Sequence, residues 1–176
     1  MSTETEDGLA RTSPLARTRP IATLIAAVLA VELVGASGAV FTTGGLDWYA
    51  TLQRPPIAPP NWVFGPVWTL LFAGMGIAVW LVWRQRHEAS PVGGLADRAL
   101  ALFAIHMVVN VAWSGAFFGL QSTAIGLAVI VVLWALIFAT MVAFYRIDWR
   151  ASALLGPYLA WVSFASVLNA WLWLLN

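Results

Sequence analysis

Five separated apolar segments constrain this chain more than any other feature, because a helix of about 20 apolar residues crosses about 30 Å of hydrocarbon. They lie near residues 21–41, 61–83, 97–119, 122–145 and 151–175. Within a bilayer no water is present to pair backbone N–H and C=O groups, so each segment has to be a helix and not an open strand. The expected fold is therefore an all-α membrane protein, a bundle of five transmembrane helices forming one domain over residues 21–176. Composition agrees. Hydrophobic residues make up 61% of the chain and charged residues 10%, with a mean hydropathy of +0.82, whereas soluble domains carry about 25% charge.

The segments between the spans differ in kind. Residues 1–20 are polar, with Glu4, Glu6 and Asp7 followed by Arg11, Arg17 and Arg19, and read as a disordered cytoplasmic tail without the pattern of a cleaved signal peptide. Between the first two spans lies a long Pro-rich loop, which holds Trp48, Tyr49 and Arg54 and then Pro55, Pro56, Pro59 and Pro60. Proline fixes φ and drives the preceding residue out of the α region, so residues 55–60 must be extended or turned. The second connection, residues 84–96, is charged. The last two are short turns, which makes the third, fourth and fifth helices antiparallel neighbours.

All nine basic residues are arginine, and eight of them fall on one side, with only Arg54 on the other. The positive-inside rule then places the N-terminus in the cytoplasm, and the Pro-rich loop and C-terminus outside. Helical spans point to a bacterial inner membrane. The chain contains no cysteine and only His87 and His106 as histidines, so thiolate chemistry is excluded and no metal site is expected. A net charge of +1 gives no reason to expect a nucleic-acid partner.

Most of the eleven tryptophans lie near predicted helix ends, as an interfacial belt would place them. Trp68, Trp113, Trp134 and Trp161 lie inside spans, where an indole N–H needs a partner or a cavity. At about 1.5 Å per residue, Trp68 and Phe72 lie about 10 and 16 Å below the loop-side surface, and Trp113 and Asn110 about 9 and 14 Å below it. Asn169 and Ala165 lie about 9 and 15 Å deep, and Glu32 about 14 Å. The polar and aromatic residues within the spans therefore gather in the half of the bundle beneath the Pro-rich loop. Helical spacing puts Trp68 with Phe72, His106 with Asn110 and Trp113, and Trp161 with Ala165 and Asn169 on shared faces. Interhelical packing would also explain each residue alone. Together they suit an aromatic-walled pocket with a few polar anchors, into which a flat conjugated ligand would stack. Glu32 is an intramembrane carboxylate, and so either a functional group or a hydrogen-bonded packing residue. The pairs Gly35/Ala39, Gly74/Ala78 and Gly115/Gly119 have the small-xxx-small spacing of close helix contacts, and a homodimer is one reading of them.

Three blocks carry a family resemblance. The first is WYATLQRP…PPNWVFGPVWTLLF over residues 48–72, the second HMVVNVAWSGAFFGLQ over residues 106–121, and the third LLGPYLAWVSFASVLN over residues 154–169. Together they resemble the tryptophan-rich sensory protein/translocator protein family (TspO/MBR, the peripheral benzodiazepine receptor family) across residues 21–175. The resemblance implies a five-helix bundle that binds porphyrins such as protoporphyrin IX or haem, with sterols and benzodiazepine-type drugs as further ligands. It implies no obligatory cofactor. Trp68 and Phe72 match the positions tied to porphyrin chemistry, Asn110, Trp161 and Ala165 match pocket positions, and the Pro-rich loop matches the lid. There are departures. His106 stands where a glutamine is common, Ile57-Ala58 stands where the loop often carries an aromatic, and Asn169 is followed by AWLWLLN without the Tyr and basic residue of the animal sterol pattern.

The expected function is that of an integral membrane receptor or sensor whose pocket, beneath the first loop, draws on Glu32, Trp48, Trp68, Phe72, His106, Asn110, Trp113, Trp161, Ala165 and Asn169. Such proteins are linked to tetrapyrrole metabolism, its regulation or ligand transport. One alternative is a proton-coupled transporter of amphipathic molecules using Glu32 and His106. Another is an enzyme that degrades porphyrin in light, with Trp68 and Phe72 as the candidate residues.

Overall fold

The computed structural model describes residues 14–87 and 91–176. The expected tail over residues 1–20 falls partly outside this range, and its last residues, from Pro14, open the first helix. Five long helices follow one another: α1 (Pro14–Thr51), α2 (Phe64–Trp83), α3 (Pro91–Ser114), α4 (Thr123–Tyr145) and α5 (Trp149–Leu175). Each contains a stretch long and apolar enough to cross a membrane, and no strand is present among the described residues. The protein is an integral, multi-pass membrane protein built as a five-helix bundle.

The largest departure from expectation is at the end of the first span. Helix α1 runs on to Thr51, about ten residues past the expected end, so Asp47, Trp48 and Tyr49 are helical and the loop shrinks to residues 52–60. The packing uses a glycine in this extension. A Cβ on Gly45 would lie 2.6 Å from the Phe118 carbonyl oxygen, so glycine is what lets α1 pass the end of α3. The helix stops where the prolines begin. Pro55 accepts a turn-closing hydrogen bond from the Ala58 N–H (2.9 Å), and one 3-10 turn, Asn61–Val63, leads into α2. At the far end of the chain, the Asn176 side chain accepts from the Gln53 N–H (2.9 Å) and donates to the Gln53 carbonyl (3.2 Å), tying the loop to the end of α5.

Helix α3 passes into a π-helical turn, Gly115–Gly119, before a tight connection in which Gln121 has φ of 52°. Ser122 caps α4, its hydroxyl accepting from the Ile125 N–H, and Asp148 caps α5 through the Arg150 N–H. Around the bundle, α1 packs on α2, α2 on α5, α5 on α4, α4 on α3 and α3 back on α1. The short connections do make α3, α4 and α5 successive neighbours. Tyr158, Phe144, Met75, Ile130, Leu133 and Leu155 fill the centre, while Leu33, Leu70, Val108 and Val167 point outward, as expected of helices apolar on every side.

Small residues set how closely α1 approaches its neighbours. A Cβ on Gly35 would overlap the Phe72 ring, and one on Gly76 would lie 2.5 Å from the Val28 backbone. Gly115 and Gly119 face Phe41. Gly35, Gly115 and Gly119, members of the small-xxx-small pairs, thus serve contacts within one protomer.

Candidate functional site

A cavity of about 340 Å³ lies between α1 and α2, with part of α3 as its floor. Its position follows from residue sizes. On α1, Glu32, Gly35, Ala39, Thr42 and Leu46 form a stripe at helical spacing, and four of these five side chains are short or uncharged, so the helix leaves space toward α2. The matching stripe begins at Asn61 of the 3-10 turn and continues on α2 with Phe64, Gly65, Trp68 and Phe72. The cavity reaches from Glu32 at its deep end to Asn61 and Leu46 beneath the loop. Ala36, Ala39, Gly65 and Thr69 line it and are also exposed on the bundle surface, so it opens sideways between α1 and α2.

Its main wall is aromatic. Trp68 stacks on Phe72 with ring centroids 5.3 Å apart and planes inclined by 24°. Behind them, Trp113 is 6.4 Å from Trp68 and Tyr158 meets Trp68 edge-on at 6.1 Å. Phe72 is in turn held against Gly35, so the pair is fixed from both sides. Polar groups are few. Asn110 lines the floor and donates to the Tyr158 hydroxyl at 2.7 Å, and Ser114 sits beside Gly38. Glu32 is half-buried on the cavity and makes no hydrogen bond or ion pair among the described residues. This arrangement can hold a flat apolar ring system by stacking, with an amide and a carboxyl group left to recognise polar substituents.

The ten residues expected to form one site divide into groups. Glu32, Trp68, Phe72 and Asn110 share the cavity. Trp113, Ala165 and Asn169 instead line a crevice of about 20 Å³ together with Tyr49 and Phe117, room for about one water molecule. There the Trp113 N–H points to the Asn169 Oδ1 at 3.4 Å, while the Asn169 amide donates to the Thr123 carbonyl at 2.7 Å. Trp161 packs edge-on against Phe64 at 6.2 Å, and Trp48 against Phe117 at 5.5 Å. Trp48 is thus on α1 and not in the loop. His106 is fully buried behind Tyr158, its Nδ1 3.3 Å from the Thr140 hydroxyl and its ring edge-on to Phe103. It does not line the cavity.

Sequence reasoning missed the α1 stripe, because Gly35, Ala39, Thr42 and Leu46 have no distinctive chemistry. Their i, i+4, i+7, i+11 spacing was nonetheless a signal of a shared face. No cluster of three or more potential metal ligands occurs among the described residues.

Comparison with known proteins extends this picture. The TspO/MBR family model matches residues 26–174, which takes in all five helices. A tryptophan-rich protein TspO of Chlorobaculum tepidum is 47% identical over 137 residues, covering 77% of this chain and 84% of that protein. The human translocator protein is 39% identical, covering 77% of this chain and 79% of its own length. A tryptophan-rich sensory protein of Cereibacter sphaeroides is 38% identical, covering 80% and 87%. Similarity at this level over the whole bundle, together with the five observed spans, has one meaning: the chain belongs to the TspO/MBR family.

Proposed function

We propose that this protein is a membrane receptor or sensor that takes a porphyrin-class ligand, such as protoporphyrin IX or haem, into the cavity between α1 and α2. The observation that carries this reading is the stacked Trp68–Phe72 wall of a cavity whose volume falls in the range of small-molecule sites, about 300–1,000 Å³. A conjugated macrocycle offers both faces for stacking. The open flank between α1 and α2 supports the reading further, since a ring wider than the cavity could leave its rim among the lipid chains. The names of its relatives, translocator and sensory proteins, fit ligand recognition. Sterols and benzodiazepine-type drugs are further candidate ligands of the same apolar space, and porphyrin is ligand here, not resident cofactor.

On the arginine distribution, the end of the bundle that bears the loop faces outward from the cytoplasm. The proton-coupled alternative asks Glu32 and His106 to share a path, and Tyr158 and Phe103 surround His106 away from the cavity. The experiment is a titration of the purified protein with protoporphyrin IX while Trp fluorescence is followed. Saturable quenching at micromolar ligand is expected. No quenching, or quenching unchanged when both Trp68 and Phe72 are replaced by alanine, would overturn the proposal.

A further inference from the structure

We propose that a slot between α3 and α4, at the end of the bundle opposite the loop, binds one phospholipid with an anionic headgroup. The slot has a volume of about 160 Å³ and is lined by Leu95, Arg98, Ala99 and Leu102 of α3, by Ala143 of α4 and by Arg146 immediately after its end. The α3 residues follow an i, i+3, i+4, i+7 pattern and so form one stripe. Two alanines among the six leave the gap that larger side chains would close.

The charges at this end are distributed unevenly. Arg86 pairs with Asp97, and Arg150 pairs with Asp148 at 2.9 Å. Arg84 lies over the Trp80 ring at 4.6 Å. Arg98 and Arg146, the two arginines on the slot, make no ion pair or hydrogen bond among the described residues. The nearby aspartates are each engaged elsewhere, so the cations of the slot lack a counter-charge from the described residues.

Depth identifies the ligand. Tyr145 and Trp149 flank Arg146 in sequence and are 68% and 65% exposed, the behaviour of an aromatic belt at the membrane–water boundary. Arg146 therefore lies at headgroup level, and Leu102, one turn beyond Arg98 along α3, reaches toward the hydrocarbon. A soluble anion would neutralise the arginines and leave the apolar slot empty. A zwitterionic lipid would fill the slot and leave the cations without net counter-charge. An anionic phospholipid does both, in the manner of basic pockets between transmembrane helices. The site is separate from the cavity between α1 and α2 and does not depend on what binds there.

The test is native mass spectrometry of the full chain with phosphatidylglycerol and phosphatidylcholine, backed by the dependence of apparent Tm on each lipid. Wild-type protein is expected to retain one phosphatidylglycerol in preference to phosphatidylcholine. The double variant Arg98→Gln/Arg146→Gln is expected to bind phosphatidylglycerol about 30-fold more weakly, from about 1 kcal/mol for each arginine. Arg84→Gln, at the same end but off the slot, should leave retention unchanged. Ala143→Phe keeps both arginines and fills the slot, and should also reduce retention. Equal retention of the two lipids, or phosphatidylglycerol retention unchanged in the double variant, would overturn the proposal, as would its displacement by low millimolar inorganic phosphate. If the double variant does not fold, retention unaffected by Ala143→Phe in otherwise wild-type protein overturns it equally.

Discussion

Asn110 of α3 donates its side-chain N–H to the Tyr158 hydroxyl of α5 at 2.7 Å, directly behind the aromatic wall of the cavity. Tyr158 is fully buried and touches Trp68 on one side and His106 on the other. One hydroxyl thus fixes the amide that lines the cavity floor and separates that floor from the buried histidine. Removing it in Tyr158→Phe leaves the Asn110 amide without its partner in an apolar setting, a loss of about 1–3 kcal/mol. Thermal unfolding in detergent should show a lower apparent Tm, together with weaker porphyrin binding as Asn110 loses its orientation. An unchanged Tm would show that this hydrogen bond contributes nothing.

Trp68 and Phe72 form one surface, so each should matter to ligand affinity. Aromatic pairs contribute about 0.5–1.5 kcal/mol beyond area burial, which is about 2- to 12-fold in affinity. Trp68→Ala and Phe72→Ala are each expected to weaken protoporphyrin IX binding by at least this factor, and Trp68→Phe to keep most of it. Fluorescence titration measures all three, with absorbance of the ligand as the readout for the variants that lack Trp68.

The bundle was readable in the sequence because lipid leaves a 20-residue apolar segment no other backbone solution. Depth counting also brought Glu32, Trp68, Phe72 and Asn110 together, since helical rise alone decides how deep a residue lies. It could not tell which helices are neighbours. Asn110 and Ala165 lie at similar levels, but α5 packs on the far side of α2, so Ala165 and Asn169 belong to the small crevice and not to the cavity. The end of α1 was misjudged for a related reason. The apolar run ends near Phe41, but the helix continues to Thr51 because α1 goes on packing past the end of α3, where Gly45 leaves room for Phe118. The π-helical turn at Gly115–Gly119 left no pattern in the sequence at all.

Gly35 should tolerate no side chain without cost to the cavity. The Cβ of Gly35→Ala would clash with the Phe72 ring, so either the ring turns away from Trp68 or α1 moves off α2. Overpacking of this kind costs about 1–3 kcal/mol. A lower apparent Tm and weaker porphyrin binding are both expected. Full affinity in Gly35→Ala would show that the Trp68–Phe72 stack is not what the ligand uses.

Among the described residues, Glu32 is the one acid on the cavity. An ionised carboxylate there repels anionic substituents of a ligand and attracts donors, so affinity for a dicarboxylic porphyrin should rise as Glu32 takes up a proton. Glu32→Gln, which is neutral at every pH, is expected to bind more tightly at high pH and to flatten the pH dependence of binding. Titrations of both proteins between pH 5 and pH 9, about the range in which such sites are measured, decide the matter. A change in stability with no change in the binding profile would leave Glu32 as a packing residue.

Asp148, outside the spans, ties the α4–α5 connection to the acid limit of stability. Its carboxylate accepts from the Arg150 guanidinium at 3.0 and 2.9 Å and from the Arg150 backbone N–H at 2.9 Å, capping α5. The Arg150 side-chain hydrogen bonds, reinforced by the backbone N–H, hold its pKa below the ordinary value of 3.8. A carboxylate depressed in the folded state stabilises the fold above its unfolded pKa, and that contribution disappears as pH falls through the lower folded value. Stability should therefore be level near neutrality and decline below about pH 4. Asp148→Ala loses the cap as well as the charge and should cost about 1 kcal/mol at pH 7. Asp148→Asn retains a capping oxygen, so its loss at pH 7 should be smaller and its decline in acid shallower. Apparent Tm at pH 7 and pH 3, about one unit below the ordinary carboxylate value, measures both effects. Parallel declines in wild type and Asp148→Asn would assign the acid sensitivity to another group.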